Sequence, residues 1–247
     1  MITLANVETG LGTVSILRNR QTGAIAYWQD SAYQSEADHR GISLAAYVHA
    51  LHGLIRQRAC REVLLIGCGG GTLATMLAAH GTRVLVIDVN AWSFALAREY
   101  FSLPAAVECQ VGDGRKYLET TSRRFDAIVL DAYLEGRIPS QFCDVAFAAI
   151  ATRRLNPGGL FLANVFLPHD LDDTADRFAK TLQTAWPGVR LLDQKNASCR
   201  NAIVLGGAVA GLEPPVLISP PQYGAEEISE DLKNMQFRPI RRLRSEL

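Results

Sequence analysis

Val63-Leu64-Leu65-Ile66-Gly67-Cys68-Gly69-Gly70-Gly71-Thr72 is the stretch from which the fold is read. Four consecutive apolar residues suit a strand buried on both faces, and the glycines after them permit a tight turn into a helix. Such a loop presents backbone N–H groups at a helix N-terminus, where a ligand's oxygens are readily held. Its spacing is G-x-G-x-G, with Thr72 where a dinucleotide-binding loop would place its third glycine, and this disfavours NAD.

Outward from the loop, further apolar runs at 84–87, 107–111, 127–130, 160–165, 189–192 and 202–205 bring the strand count to seven. Helical spacing separates them near 72–80, 91–101, 114–120, 140–154 and 171–185, and this alternation marks βαβ units on a mostly parallel α/β sheet. Asn156-Pro157-Gly158-Gly159 stops the fourth helix. Upstream, 13–17 and 24–28 flank Gln21-Thr22-Gly23 as a small β-hairpin, and 42–55 reads as a helix leading into the main domain. Downstream, Pro214-Pro215 and Pro220-Pro221 mark a loop, followed by a short polar helix and a basic end, 238–244, read as a solvated terminus. The expected division is a hairpin region with its helix at 1–57, a nucleotide-binding domain at 58–210 and an extension at 211–247.

With 247 residues, 48% of them hydrophobic, the chain has enough material for one sizeable core. Lys plus Arg equal Asp plus Glu at 25 each, so there is no charge footprint for nucleic acid or an anionic membrane, and a small-molecule partner is expected. Five scattered cysteines and the lack of a signal-like or membrane-spanning run predict a reducing, cytoplasmic setting. No metal is expected: His49 and His52 share a helix face but have no acidic or cysteine partner nearby in sequence. Cys68 is read as a small loop residue rather than a reactive thiol, and Trp28, Tyr33, Tyr47 and Trp92 as core or interface aromatics, with Trp92 the one nearest the candidate site.

Three aspartates follow the glycine loop. Asp88, with Val89 beside it, ends the second strand at the distance where a carboxylate receives a ribose diol. Asp113, within Gly112-Asp113-Gly114, ends the third and is placed to accept from an adenine amino group; Asp131 ends the fourth. All three fall on the carboxyl edge of the sheet, where open α/β folds bind ligands. Any one alone reads equally well as a helix cap or turn residue. Together with Gly67, Gly69, Gly70, Gly71 and Gly114 they form a candidate nucleotide site.

These residues resemble the class I S-adenosylmethionine-dependent methyltransferase fold, and more narrowly the spermidine synthase (polyamine aminopropyltransferase) family. In that family a β-hairpin domain precedes a Rossmann-like domain, and an early Gln, a glycine loop, Asp, Asp-Gly and Asp follow in the order seen here as Gln34, 67–71, Asp88, Asp113-Gly114 and Asp131. Leu155 to Gly159 is similar to the family's L-x-P-G-G turn. The resemblance implies a seven-stranded sheet whose last strand is antiparallel, often a dimer or tetramer, with a homodimer the expected partner, and S-adenosylmethionine or its decarboxylated form as co-substrate. It also implies Gln34 as an acceptor-binding residue.

The departures concern the acceptor. Gly70 stands where the family's loop carries an Asp, Ile42-Ser43 where it carries a Tyr-His pair, and Ala132-Tyr133-Leu134-Glu135 where a second carboxylate is expected, for which Glu135 is a candidate substitute. Transfer from a sulfonium is an in-line displacement needing little beyond positioning and a proton acceptor. Asp131 is the candidate base and Tyr133 its assistant on a small acceptor such as an amine. Methyl transfer to a small molecule and non-catalytic nucleotide binding are the alternatives, and fold alone does not choose among them.

Overall fold

In the computed structural model, which describes residues 1–30, 32–194 and 198–241, the chain opens with an antiparallel meander of β1 (Ile2–Thr9), β2 (Gly12–Arg18), β3 (Ile25–Gln29) and β4 (Ala32–Ala37). The two expected hairpin arms are β2 and β3. The outer strands escaped sequence reading because they are half-solvated and carry no clean alternation: of β4, only Ala37 is buried. Val14, Ile16, Ile25, Tyr27 and Ala37 form the sheet's apolar face, which packs on Leu96 and Phe101. That contact lays β4 over the glycine loop.

A turn built by Asp38 follows, its Oδ1 accepting from Arg40 N and Ile42 N at 2.9 and 3.0 Å. The turn occupies the first residues of the expected helix, so α1 runs only over Ala46–Gln57. The main domain then alternates β5 (Glu62–Ile66), α2 (Thr72–Ala79), β6 (Arg83–Asp88), α3 (Ala91–Tyr100), β7 (Glu108–Val111), α4 (Gly114–Thr120), β8 (Phe125–Leu130), α5 (Val145–Arg154), β9 (Leu155–Leu167), α6 (Thr174–Leu182), β10 (Val189–Gln194) and β11 (Arg200–Gly207). After a proline-rich loop come α7 (Ala225–Asn234) and β12 (Met235–Arg238).

The sheet has eight strands in the order β12-β10-β11-β9-β8-β5-β6-β7. From β9 to β7 the pairs are parallel; β11 is antiparallel to β9 and β10, and β12 to β10. Alternate residues of β5 feed two cores: Val63 and Leu65 face α1, α2 and α7, while Leu64 and Ile66 face α4, α5 and α6. The parallel strands are therefore buried on both sides, which is why they read as unbroken apolar runs.

The eighth strand corrects the expected seven, and Arg238 corrects the reading of a solvated basic end. Arg238 is 9% exposed and bridges Asp176 (2.8 Å) and Asp193 (2.7 Å), with Arg200 on the other side of Asp193 at 2.7 Å. A buried guanidinium with two carboxylates holds its strand in place because separation would leave the charges unpaired in a poor solvent. Residues 242–244 of that basic end lie outside the described residues. Among the described residues, no helix is long and apolar enough to cross a membrane.

Candidate active site

The carboxyl ends of β5, β6, β7 and β8 converge as parallel strands must, and the glycine loop turns between them. Gly67 adopts φ +102°, donates its N–H to Ile87 O at 2.9 Å, and lies so close to the backbone of Asp131 that a Cβ would overlap it. Asp131 N in turn donates to Ile66 O at 2.9 Å. The loop and the end of β8 are thus fastened together, which only glycine permits at this position.

Around this junction opens a cavity of about 380 Å³. Gly67 and Gly69 form its floor, Asp88 and Val89 one wall, Asp113 and Gly114 another, and Asp131 and Tyr133 the end, with Gln34 reaching in from β4. Gly70 and Gly71 do not line it. Gly70 backs onto the Phe101 ring, whose nearest atom would lie 2.8 Å from an added Cβ, and its N–H is directed to Ser35 Oγ at 3.2 Å. Gly71 opens α2 in the left-handed conformation. An acidic side chain at Gly70 would meet the Phe101 ring, so the residue that departs from the family's pattern is accommodated by local packing.

Asp88 accepts Cys68 N at 2.8 Å on one oxygen and Asn90 N at 2.7 Å on the other, fixing its plane at the cavity wall. Burial raises its carboxyl above the usual range, and these two N–H groups partly offset the rise. Asp113 combines both readings of such residues: Oδ1 caps α4 through Lys116 N at 2.8 Å, while Oδ2 accepts from Gln141 Nε2 at 2.6 Å. Gln141 sits on a single 3-10 turn, Ser140–Phe142, that forms part of the cavity wall, and nothing in its sequence context marked it.

Asp131 is held by two side chains that sequence reasoning did not select for the site. Asn164 Nδ2 donates to Oδ1 at 2.8 Å and Tyr47 Oη to Oδ2 at 3.3 Å. Burial pushes the Asp131 carboxyl up, and the two donors pull it partly back. Burial and the neighbouring Asp131 drive the Tyr47 phenol well above its usual range, so it stays protonated and donates. Asn164 is 2% exposed in the middle of the apolar β9, and a polar residue interrupting such a run was the available signal.

Tyr133 reaches the cavity, but its hydroxyl is already used twice, donating to Asn164 O at 2.9 Å and accepting from Phe166 N at 2.8 Å. It braces β9 beside Asp131. Glu135 sits exposed at the tip of a tight turn in which Leu134 and Arg137 exchange both backbone bonds, and it is not a cavity residue. Cys68 lines the cavity with its thiol pushed well up by burial, in keeping with a small loop residue. His49 is tied to Ser43 O at 2.8 Å, and His52 packs against His80 with ring centroids 5.1 Å apart. Among the described residues no group of three His, Cys, Asp or Glu could hold a metal.

The cavity wall therefore carries three carboxylates, and no lysine or arginine is among its lining residues. Such a site suits a ligand with a positive centre and hydroxyl or amino donors. Residues 63–159 match the model of a methyltransferase domain. A probable polyamine aminopropyl transferase of Bifidobacterium longum is 31% identical over 111 residues, covering 44% of this chain and 25% of that protein. A polyamine aminopropyltransferase of Neisseria meningitidis is 24% identical over 210 residues, covering 82% and 78% respectively. This chain thus spans about a quarter of the first relative and most of the second.

A probable spermidine synthase from Corynebacterium glutamicum superposes with a TM-score of 0.77 at 19% identity, over 96% of this chain and 90% of that one, a likeness of fold. The fold is thus the Rossmann-like methyltransferase fold; in sequence the chain is similar to polyamine aminopropyltransferases, and in fold to a spermidine synthase.

Proposed function

We propose that this protein is a transferase that binds an adenosyl sulfonium in the cavity and moves an alkyl group from its sulfur to a small amine. The observation that carries the reading is Asp131. It is a carboxylate raised by burial, held by Asn164 and Tyr47, at the end of a cavity whose other walls offer Asp88 to a ribose and Asp113 to an adenine amine.

In the transfer, the amine lone pair attacks the carbon next to the sulfonium, the C–S bond breaks with its electrons going to sulfur, and a neutral thioether leaves. The nitrogen becomes more acidic as the new bond forms, and Asp131 takes its proton. Asp88 and Asp113 fix the nucleoside so that carbon and amine meet in line. A carboxylate-bearing donor finds no cation in the cavity wall and three like charges nearby, which supports the decarboxylated form as the preferred donor. A methyl group from S-adenosylmethionine is the second reading, favoured by the methyltransferase-domain match over residues 63–159. An open cavity of about 380 Å³ beside Asp131 favours either reading over a purely binding role. A cytoplasmic setting and a homodimer belong to the same proposal.

Incubation of the protein with each donor and a panel of primary amines tests the proposal. Methylthioadenosine from the decarboxylated donor is the expected product. Adenosylhomocysteine from ordinary S-adenosylmethionine would instead establish methyl transfer, and neither product, despite tight nucleotide binding, would refute an enzymatic role.

A further inference from the structure

Asn164 has an amide with two unlike ends, and only one of them can face an ionised carboxylate. Its Nδ2 donates to Asp131 Oδ1 at 2.8 Å. Its Oδ1 points the other way and accepts from Asn201 Nδ2 at 2.9 Å, a side chain on β11, the strand paired beside β9. Its backbone carbonyl takes the Tyr133 hydroxyl. Asn201 and Asn164 therefore form a directed chain of donors that runs from the antiparallel half of the sheet to the Asp131 carboxylate at the cavity.

The Asp131 carboxylate already favours the N–H₂ end of this amide, because the amide oxygen would be repelled by it. The bond from Asn201 reinforces that preference, since turning the amide over would also place N–H against N–H on the Asn201 side. We propose that Asn201 is a positioning residue for the transfer, acting through Asn164 to keep an N–H donor aimed at Asp131. The inference rests on the reading of Asp131 as the acceptor's proton acceptor. Asn201 is not among the residues lining the cavity, and its bond to Asn164 is its link to Asp131.

The chain has a sharp consequence. An aspartate at position 201 can only accept, so it would draw the Asn164 N–H₂ to itself and turn the amide oxygen toward Asp131. A leucine there would remove the orienting donor without adding charge. The test is carbon-detected NMR titration of the Asp131 carboxyl in wild type, Asn201→Asp and Asn201→Leu, alongside the pH profile of kcat/KM. The Asp131 midpoint is expected to rise by about one unit or more in Asn201→Asp and by about half a unit in Asn201→Leu, as loss of a donor to a carboxylate requires.

The acid limb of the profile should move up by the same amounts, with kcat lowered and the affinity for methylthioadenosine unchanged. An unmoved midpoint in Asn201→Leu would overturn the proposal, even if Asn201→Asp shifted, because charge repulsion alone would explain the latter. Should Asn201→Asp fail to fold, Asn201→Leu and Asn201→Ser decide the matter by the same titration. Absence of turnover in the wild type would refute the transferase reading, while the titration would still report on the amide.

Discussion

The two ends of the cavity are assembled from different distances along the chain. At the end assigned to the nucleoside, Asp88 takes backbone N–H donors from Cys68 and Asn90, and Asp113 takes the Lys116 N–H together with a side chain from farther along, Gln141. At the acceptor end, Asp131 is held by side chains 84 and 33 residues away, from Tyr47 of α1 and Asn164 of β9. The end assigned to the nucleoside is thus built mainly from the βαβ turns, with Gln141 as a long-range addition, whereas the end assigned to the acceptor exists only once helix and sheet have come together. Loss of local backbone geometry should damage both ends, and loss of Tyr47 or Asn164 only the second.

The most severe break in that pattern is expected from Gly67→Ala. A methyl group there would strike the Asp131 backbone at a positive φ, costing about 2–4 kcal/mol of stability. Thermal unfolding should show it as a clear fall in Tm, with both nucleotide binding and turnover reduced. If Tm were unchanged, the fastening of the loop to β8 would be wrong.

Asp88→Ala comes next. Removing the carboxylate assigned to the ribose should weaken methylthioadenosine binding by about 10- to 100-fold in calorimetry, the worth of a charge-assisted hydrogen bond in a shielded site. Undiminished affinity would remove Asp88 from the nucleotide site.

The smallest effect belongs to Tyr47→Phe, which isolates the acceptor end. The Tyr47 hydroxyl pulls the Asp131 carboxyl down against burial, so its loss lets that carboxyl rise further. Turnover needs the ionised form, so the acid limb of kcat/KM should move to higher pH, by about half a unit. A limb that stayed in place or moved to lower pH would mean that Tyr47 does not donate to Asp131.

The same contrast explains what could be read from sequence. Buried parallel strands announce themselves as apolar runs, and the glycine loop with Asp88 and Asp113 is local enough for spacing alone to bring it into view. β12 is invisible in that sense: Met235-Gln236-Phe237-Arg238 becomes a strand because Arg238 is drawn between Asp176 and Asp193, residues 62 and 45 positions earlier. Tyr47 looked like a core aromatic, because its spacing within α1 is that of a buried face and its one polar contact is long-range. Tyr133, picked for its place beside Asp131, has its hydroxyl committed to the backbone of β9. Proximity in sequence found the right neighbourhood there, but not the hydrogen-bond partners. Asn164, an amide interrupting the apolar run 160–165, carried a signal that the reading of the sequence did not take up.

One paired measurement bears most directly on a cavity with separate nucleoside and acceptor ends: methylthioadenosine affinity and turnover of Asp131→Asn, on the same preparation. The amide keeps the shape of the carboxylate and can still accept one of the two hydrogen bonds from Asn164 and Tyr47, but cannot take a proton from the acceptor. The account predicts affinity within about twofold of wild type, with turnover lower by about 10²- to 10⁴-fold, the usual contribution of a general base. Unchanged turnover would contradict it.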